Sequence, residues 1–363
     1  MAGLYLHIPF CKSRCIYCGF YSTTGHDLRQ QYIDALCREM EMRPSAAPVD
    51  TIYLGGGTPS QLDISQLRQL FIYINKVYGN DAKEITIEMN PDDVTSQYAE
   101  ILPQLGINRV SLGVQTFNDE RLRFLYRRHH AAQVNQAIRI LRDAGIPNIS
   151  IDLMYGFPQE TLSDWQHDIN TALSLNVEHI SAYCLMIEEG TPLSKMGIEA
   201  TDDETERKMY DMLIDRLTAE GYEHYEISNF ARPGYHSRHN SSYWQDIPYI
   251  GLGAAAHSYD GHRRSWNVSH IKQYIESINS GKIPCEYEEL DADTHYNDRV
   301  TTALRTSIGL DLTTLSDSYQ QYCLKEAQSF IKDGLLRLDN KHLILTRKGL
   351  FISDYIMSSL MKV

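Results

Sequence analysis

The chain has no apolar run of the ~18 residues that a membrane-spanning helix needs, which argues against a helical membrane protein. Its first residues, Met-Ala-Gly-Leu-Tyr-Leu-His, lack the basic segment and cleavage site of a secretion signal. Basic residues are the scarcer charge: 34 Lys and Arg stand against 47 Asp and Glu, a net charge of −13. That balance argues against a broad nucleic-acid or anionic-membrane surface. No internal repeat or low-complexity stretch interrupts the 363 residues. Cysteine is also sparse. Of seven, four are scattered (Cys37, Cys184, Cys285, Cys323), which is not a disulfide framework. The expected location is a reducing cytoplasm.

The other three cysteines are concentrated. Cys11, Cys15 and Cys18 form C-x3-C-x2-C directly after the apolar run Leu4–Ile8. Thiols so near in sequence rarely reach disulfide geometry. Three thiolates are one short of the four that close a zinc site or an iron–sulfur cluster. Two readings follow. One is structural zinc, completed by His7 or His26. The other is a [4Fe–4S] cluster with thiolates on three irons and the fourth iron open to an exogenous ligand.

Six strand-like segments alternate with helical ones. The strands are Leu4–Ile8, Thr51–Leu54, Glu84–Met89, Arg109–Val114, Asn148–Leu153 and His179–Leu185. Between and after them, helical periodicity covers Asp27–Arg43, Ser60–Tyr78, Asp92–Leu105, Asp119–Tyr126, Ala131–Ala144, Leu162–Leu175 and Asp203–Glu220. Such alternation predicts parallel strands with helical crossovers. An open doubly wound sheet and a (β/α) barrel both fit. The strand ends favour the barrel: cysteines follow the first, Gly55-Gly56-Gly57 the second, Glu88 lies near the end of the third, Gln115 follows the fourth, and Asp152 lies near the end of the fifth. In a barrel these ends meet on one face, whereas a doubly wound sheet gathers its site at one switch point.

The expected fold is therefore α/β: a partial (β/α)6 TIM-like barrel over 1–230, a connecting segment over 231–290, and a mainly helical, winged-helix-like domain over 291–363. Tyr222–Phe230 reads as strand, and the connecting segment is rich in aromatics and histidine from His236 to Trp266. In the last domain nine Lys and Arg balance nine Asp and Glu, so DNA is not an expected partner.

Several stretches together carry a resemblance: Tyr5–Cys11 with Tyr17-Cys18-Gly19-Phe20, Gly55-Gly56-Gly57-Thr58-Pro59, Gly113–Asn118, Ile151–Pro158 and His239-Asn240-Ser241-Ser242-Tyr243-Trp244. The chain resembles the radical S-adenosylmethionine (SAM) superfamily, in the branch that holds oxygen-independent coproporphyrinogen III dehydrogenase and heme chaperones. The resemblance covers the chain from residue 5 to about residue 260. It implies that Cys11, Cys15 and Cys18 hold a [4Fe–4S] cluster whose open iron takes SAM. It also implies SAM contacts from Tyr5, Tyr17, Gly56, Gly57, Thr58, Glu88, Gln115, Arg127 and Asp152. Glu88 and Asp152 are suited to accept from amine and ribose hydroxyl groups. The three glycines do not fit G-x-G-x-x-G, so they do not read as a dinucleotide site; they would let backbone approach the amino-acid end of SAM. Arg127 starts the run Arg127-Arg128-His129-His130, which also reads as an exposed basic patch. The H-N-x-x-Y-W stretch implies heme binding, with His239 and Tyr243 as candidates and His257 as a further participant; histidine and tyrosine are both heme ligands.

Two activities compete within that branch. One is heme chaperoning, with delivery to client proteins at the cytoplasmic membrane and an electron donor to the cluster. The other is oxidative decarboxylation of coproporphyrinogen III. Phe20 stands where the dehydrogenases carry a fourth cysteine. Cys11 lies near the first residue, where they usually carry an extension. The H-N-x-x-Y-W stretch belongs to the chaperones. A heme chaperone without dehydrogenase activity is the expectation.

Overall fold

A computed structural model describes residues 2–363. Six strands form its centre: β1 (Ala2–Ile8), β2 (Val49–Gly56), β3 (Glu84–Met89), β4 (Arg109–Gln115), β5 (Asn148–Tyr155) and β6 (His179–Cys184). They lie side by side in chain order and all pair in parallel. An order without reversal keeps every right-handed crossover on one face. This is the winding of a (β/α) barrel, not of a doubly wound sheet. The crossovers are α1 (Arg29–Met42), α2 (Ile64–Tyr78), the short α3 (Ser96–Ala99) and α4 (Ile101–Gln104), α5 (Asp119–Phe124) with α6 (Ala131–Asp143), and α7 (Leu162–Ser174); α8 (Asp203–Ala219) follows β6.

Strand alternation sorts the side chains. Leu4, Leu6 and Ile8 join Ile33, Leu36 and Met40 of α1 in the core under the helices. The alternate residues are left to the concave side. The helices start where their sequences can satisfy free amides: Asp63 and Gln66 form a reciprocal cap on α2, and Thr161 and Asp164 one on α7.

The expected helix over Asp92–Leu105 is broken. Pro91–Asp93 is a single 3-10 turn, Val94 and Thr95 are extended, and the Thr95 hydroxyl caps a new helix by accepting from the Tyr98 amide. Asp92 and Asp93 are drawn away to Arg128, at 2.8 and 3.0 Å. Tyr222–Phe230 is a hairpin, β7 (Glu223–Glu226) and β8 (Asn229–Ala231), with β8 antiparallel to β6.

Beyond it, α9 (Arg238–Trp244) leads to β9 (Tyr249–Leu252), which pairs in parallel with β1 on its free edge. β10 (His257–Tyr259), β11 (Arg263–Asn267) and, after α10 (Ile271–Asn279), β12 (Cys285–Glu289) extend the sheet to twelve strands, ordered β12-β11-β10-β9-β1-β2-β3-β4-β5-β6-β8-β7. Buried Glu39 of α1 fastens this extension. It accepts from Gly253 N at 2.8 Å, Asn267 Nδ2 at 2.7 Å and Tyr274 OH at 2.7 Å. Three donors and Arg43 at 3.2 Å offset the cost of burying its charge.

The remainder comprises α11 (Ala292–Ala303), β13 (Leu310–Asp311), α12 (Asp317–Lys332), β14 (Leu336–Asp339), β15 (His342–Leu345), α13 (Arg347–Leu350) and α14 (Ser353–Leu360). Its three-stranded sheet, ordered β13-β15-β14, packs its own apolar cluster around Val300, Leu310, Leu343 and Ile356. The hairpin turns at Asn340 and Lys341, both at positive φ, as tight two-residue turns require.

Candidate functional site

The C-terminal ends of the parallel strands surround a cavity of about 660 Å³, within the ~300–1,000 Å³ range of ligand pockets. Cys11, Cys15 and Cys18 line it together with Gly57, Glu88 and Asp152. The sequence separates these residues by up to 141 positions; the winding of the sheet alone brings them to one place.

The cysteine loop is held at several points. Cys11 N donates to Thr23 O at 2.9 Å, Thr23 N to Pro9 O at 2.7 Å, and Ile16 N to Leu125 O at 3.3 Å. Thr58 Oγ1 donates to Cys11 Sγ at 3.6 Å, and Arg127 Nη1 to Cys15 Sγ at 3.6 Å. Burial pushes the Cys11 and Cys18 thiols up from their ordinary range, and at Cys11 the hydroxyls of Thr58 and Ser22 oppose it. Among the described residues, no three His, Cys, Asp or Glu side chains converge closely enough to hold one metal ion. A zinc ion would need its ligands all within about 2.0–2.3 Å. A [4Fe–4S] cluster instead takes each thiolate on its own iron, so a wider triangle of sulfurs fits it.

Two glycines make room beside that triangle. A Cβ on Gly57 would come 2.7 Å from the Pro9 carbonyl carbon and 3.0 Å from Cys11 Sγ. Gly56 has φ +113°, and a Cβ there would meet the His7 ring at 2.6 Å. Gln115 has φ +69° at a register shift between β4 and β5. A bulge with a non-glycine residue in the left-handed region is held by its surroundings, and it delivers the Gln115 side chain to the cavity wall.

Glu88 accepts from Tyr53 OH at 2.8 Å and from Gly56 N at 3.2 Å, and burial pushes its carboxyl up to about 7. Asp152 is raised by burial as well, and Ser111 Oγ lies 3.4 Å from both its oxygens. Arg127 is not part of an exposed run. It donates to Asn90 Oδ1 at 2.7 Å and to the Gly113 carbonyl, while Arg128 pairs with Asp92 and Asp93 and His129 is buried against Val114 O. Tyr17 lines the cavity, and burial raises its phenol. Tyr5 is set back from the wall. Its hydroxyl lies 3.1 Å from His7 Nδ1, and its ring lies 6.2 Å from that of Tyr53.

His239 and Tyr243, the heme candidates, are not among the residues that line the cavity. His239 is 1% exposed, and burial pushes its ring down to about 3. Nδ1 is bonded to Thr51 Oγ1 at 2.8 Å and Nε2 to Tyr243 OH at 2.8 Å. The His239 ring also stacks on Tyr53 at 5.1 Å, and its backbone N donates to Glu84 at 2.9 Å. The stretch fastens α9 to β2 and β3; within it Asn240 lines the cavity. His257 is exposed, lies 6.1 Å from the Trp266 ring, and is not part of the cavity wall.

Sequence reasoning missed Arg109. It is 2% exposed, lines the cavity, and its Nε has no partner. The signal was its phase: Arg109, Ser111, Gly113 and Gln115 alternate onto the concave face of β4.

Comparison with known proteins matches this architecture. Residues 5–172 match the Radical SAM superfamily, and residues 290–352 match the HemN C-terminal domain. The heme chaperone HemW of Bacillus subtilis is 35% identical over 99% of this chain and 99% of its own length. HemW of Mycobacterium tuberculosis H37Rv is 33% identical over 99% and 94%. The solved structure of the coproporphyrinogen III oxidase HemN from Escherichia coli, a radical SAM enzyme, superposes with a TM-score of 0.87 at 25% identity, covering 99% of this chain and 90% of that one. Sequence, winding and cysteine loop agree: the chain belongs to the radical SAM superfamily, within the HemW family.

Proposed function

We propose that the chain is a heme chaperone: it binds heme, keeps a SAM-ligated [4Fe–4S] cluster, and delivers heme to client proteins. The observation that carries this reading is the end-to-end similarity to proteins named heme chaperone HemW. Phe20 in place of a fourth cysteine supports it.

In this reading Cys11, Cys15 and Cys18 hold three irons. When bound, the cluster and SAM supply one-electron chemistry. The Thr58 hydroxyl donates to Cys11 Sγ and favours its thiolate form, and the Arg127 guanidinium donates to Cys15 Sγ. Gly56 and Gly57, where a Cβ would crowd His7, Pro9 and Cys11, would leave room for the amino-acid end of SAM. Glu88 would accept from its ammonium group and Asp152 from a ribose hydroxyl, with Gln115 and Tyr17 on the same wall. Tyr5, expected as a SAM contact, stands behind Tyr53 with the rings 6.2 Å apart. In the same reading His239 and Tyr243 of the H-N-x-x-Y-W stretch are the heme candidates. An electron donor, a cytoplasmic location and clients at the cytoplasmic membrane belong to the same proposal. So does a division into 1–230, 231–290 and 291–363, which the separate apolar cluster of the last part supports.

The second reading is coproporphyrinogen III dehydrogenase, favoured by the likeness to HemN. The test is reconstitution with iron and sulfide, followed by metal analysis and hemin titration. The chaperone reading expects a cluster lost in a Cys11→Ala, Cys15→Ala, Cys18→Ala variant, and a saturable heme spectrum in wild type. A wild-type protein that takes up no heme would overturn it.

A further inference from the structure

Arginine is not deprotonated in proteins, so a buried guanidinium is a fixed positive charge that its surroundings must answer. Arg109 is such a group: it is 2% exposed, lines the cavity, and its Nε has no partner. Its place is set by β4. In register it stands beside Thr86 of β3 and Asn148 of β5, two residues before Ser111 and on the same concave face. Ser111 in turn is level with Glu88, and its hydroxyl lies 3.4 Å from both oxygens of Asp152. The cation therefore sits one layer below two carboxylates that share its wall. Both carboxylates take hydrogen bonds elsewhere: Glu88 accepts from Tyr53 OH and Gly56 N, and Asp152 from Ser111. Tyr53 on β2, His179 on β6, Tyr225 on β7 and His239 on α9 also feel the Arg109 charge. Burial raises these two phenols and lowers these two imidazoles, so all four are neutral. Tyr5 and Tyr243, toward Glu88, and Tyr183, toward Asp152, are likewise phenols raised by burial. Arg127, the other cation toward Asp152, is already bonded to Asn90, the Gly113 carbonyl and Cys15.

Two carboxylates in one buried cavity oppose each other's ionisation and tend to share a proton. Burial raises both Glu88 and Asp152, and the Asp152 charge raises Glu88 further. The Arg109 charge opposes this at both acids. We propose that Arg109 is a positioning residue for SAM: the fixed counter-charge that lets Glu88 and Asp152 face the cofactor as two carboxylates at once. This rests on the reading of the cavity as a SAM site and adds to it a residue that acts through the two acids. An ammonium group gains a charge-assisted hydrogen bond only from an ionised Glu88. Set one layer deeper, the guanidinium supports both acids without occupying the faces they turn to the cavity. The arrangement also accounts for a buried cation that a neutral residue of similar size would otherwise replace without loss.

The test is SAM binding by the full-length reconstituted protein, measured by equilibrium dialysis between about pH 6 and 9. Wild type, Arg109→Met, Arg109→Lys and the charge-balanced pair Arg109→Met with Asp152→Asn are compared. Wild-type affinity is expected to rise with pH through about 7, where Glu88 ionises. In Arg109→Met the rise is expected to move up by about one pH unit, an affinity loss of about tenfold on the acid side that closes as the pH is raised. Arg109→Lys keeps the charge and should keep the wild-type midpoint. The charge-balanced pair loses one charge of each sign and should return toward that midpoint. Denaturant titrations of the cluster-free proteins give a second readout: the fall of stability with pH should extend to higher pH in Arg109→Met. An unmoved midpoint in Arg109→Met overturns the inference. So does a loss of affinity that is equal at every pH, which would make Arg109 a direct ligand contact or a purely structural group. If Arg109→Met does not fold, the pair decides: a folded pair supports the inference, and a pair equally unfolded overturns it. A wild type that binds no SAM overturns the SAM reading of the cavity and this inference together.

Discussion

Glu88 sits buried between the Tyr53 hydroxyl and the Gly56 amide, and that position changes its acid strength. An unfolded glutamate ionises near pH 4.3; burial raises Glu88 to about 7 in the fold. Between those values the native protein holds the proton more firmly than the unfolded chain. The contribution of this group to stability therefore falls as pH rises from about 4.5 to 7. Denaturant titrations of cluster-free protein at several pH values should show this decline, roughly 3–4 kcal/mol at most, and Glu88→Gln should remove it. A bound cation next to Glu88 restores its ionised form, so SAM affinity should rise with pH through the same window. An unchanged slope in Glu88→Gln would contradict this account. His239 tests differently. His239→Ala leaves the Thr51 and Tyr243 hydroxyls without their partner and should lower stability by about 1–3 kcal/mol, measured in the same titrations. The cysteines, Glu88 and Asp152 were legible because a strand end next to a reactive side chain is a local pattern. The burial of His239 was not, because the sequence does not say which neighbour a short helix will face; Thr51 lies 188 residues away.

At the scale of elements, the six strands and the long helices were legible from periodicity, and the breaks between them were not. Asp92–Leu105 has helical spacing, yet Arg128 captures Asp92 and Asp93 and Thr95 restarts the helix. Both contacts depend on tertiary structure. The end of β4 is the second such place. Its register shift and the left-handed Gln115 cannot be read from an apolar strand that ends in a polar residue. A left-handed non-glycine residue costs about 1–3 kcal/mol, and replacement by glycine removes that cost. Gln115→Gly should therefore melt at or above the wild-type temperature while binding SAM about tenfold more weakly. A variant that loses stability and affinity in step would show that Gln115 is structural only.

Over the whole molecule, β9 docks on the free edge of β1 and, with β10 to β12, adds four strands to the six-stranded arc, while β8 and β7 add two at the opposite edge. The segment expected only to connect two domains builds this extension. Short strands and abundant aromatics hid its role, and the Glu39 network that holds it spans more than 200 residues of sequence. The C-terminal part touches α8 through Arg347, which pairs with Asp211 and Asp215 at 2.7 and 3.0 Å. These charges are 40–71% exposed, so Arg347→Ala should cost no more than about 1 kcal/mol, checked by melting at low and high salt. Throughout, the cysteine loop and the strand ends face one mouth. The most direct measurement of the central claim is an anaerobic comparison on one reconstituted preparation. Coproporphyrinogen III is offered with SAM and a reductant, and hemin is offered in parallel with an apo-heme protein as acceptor. The account predicts heme uptake and transfer, with no vinyl product from coproporphyrinogen III. SAM-dependent vinyl formation without heme transfer would contradict it.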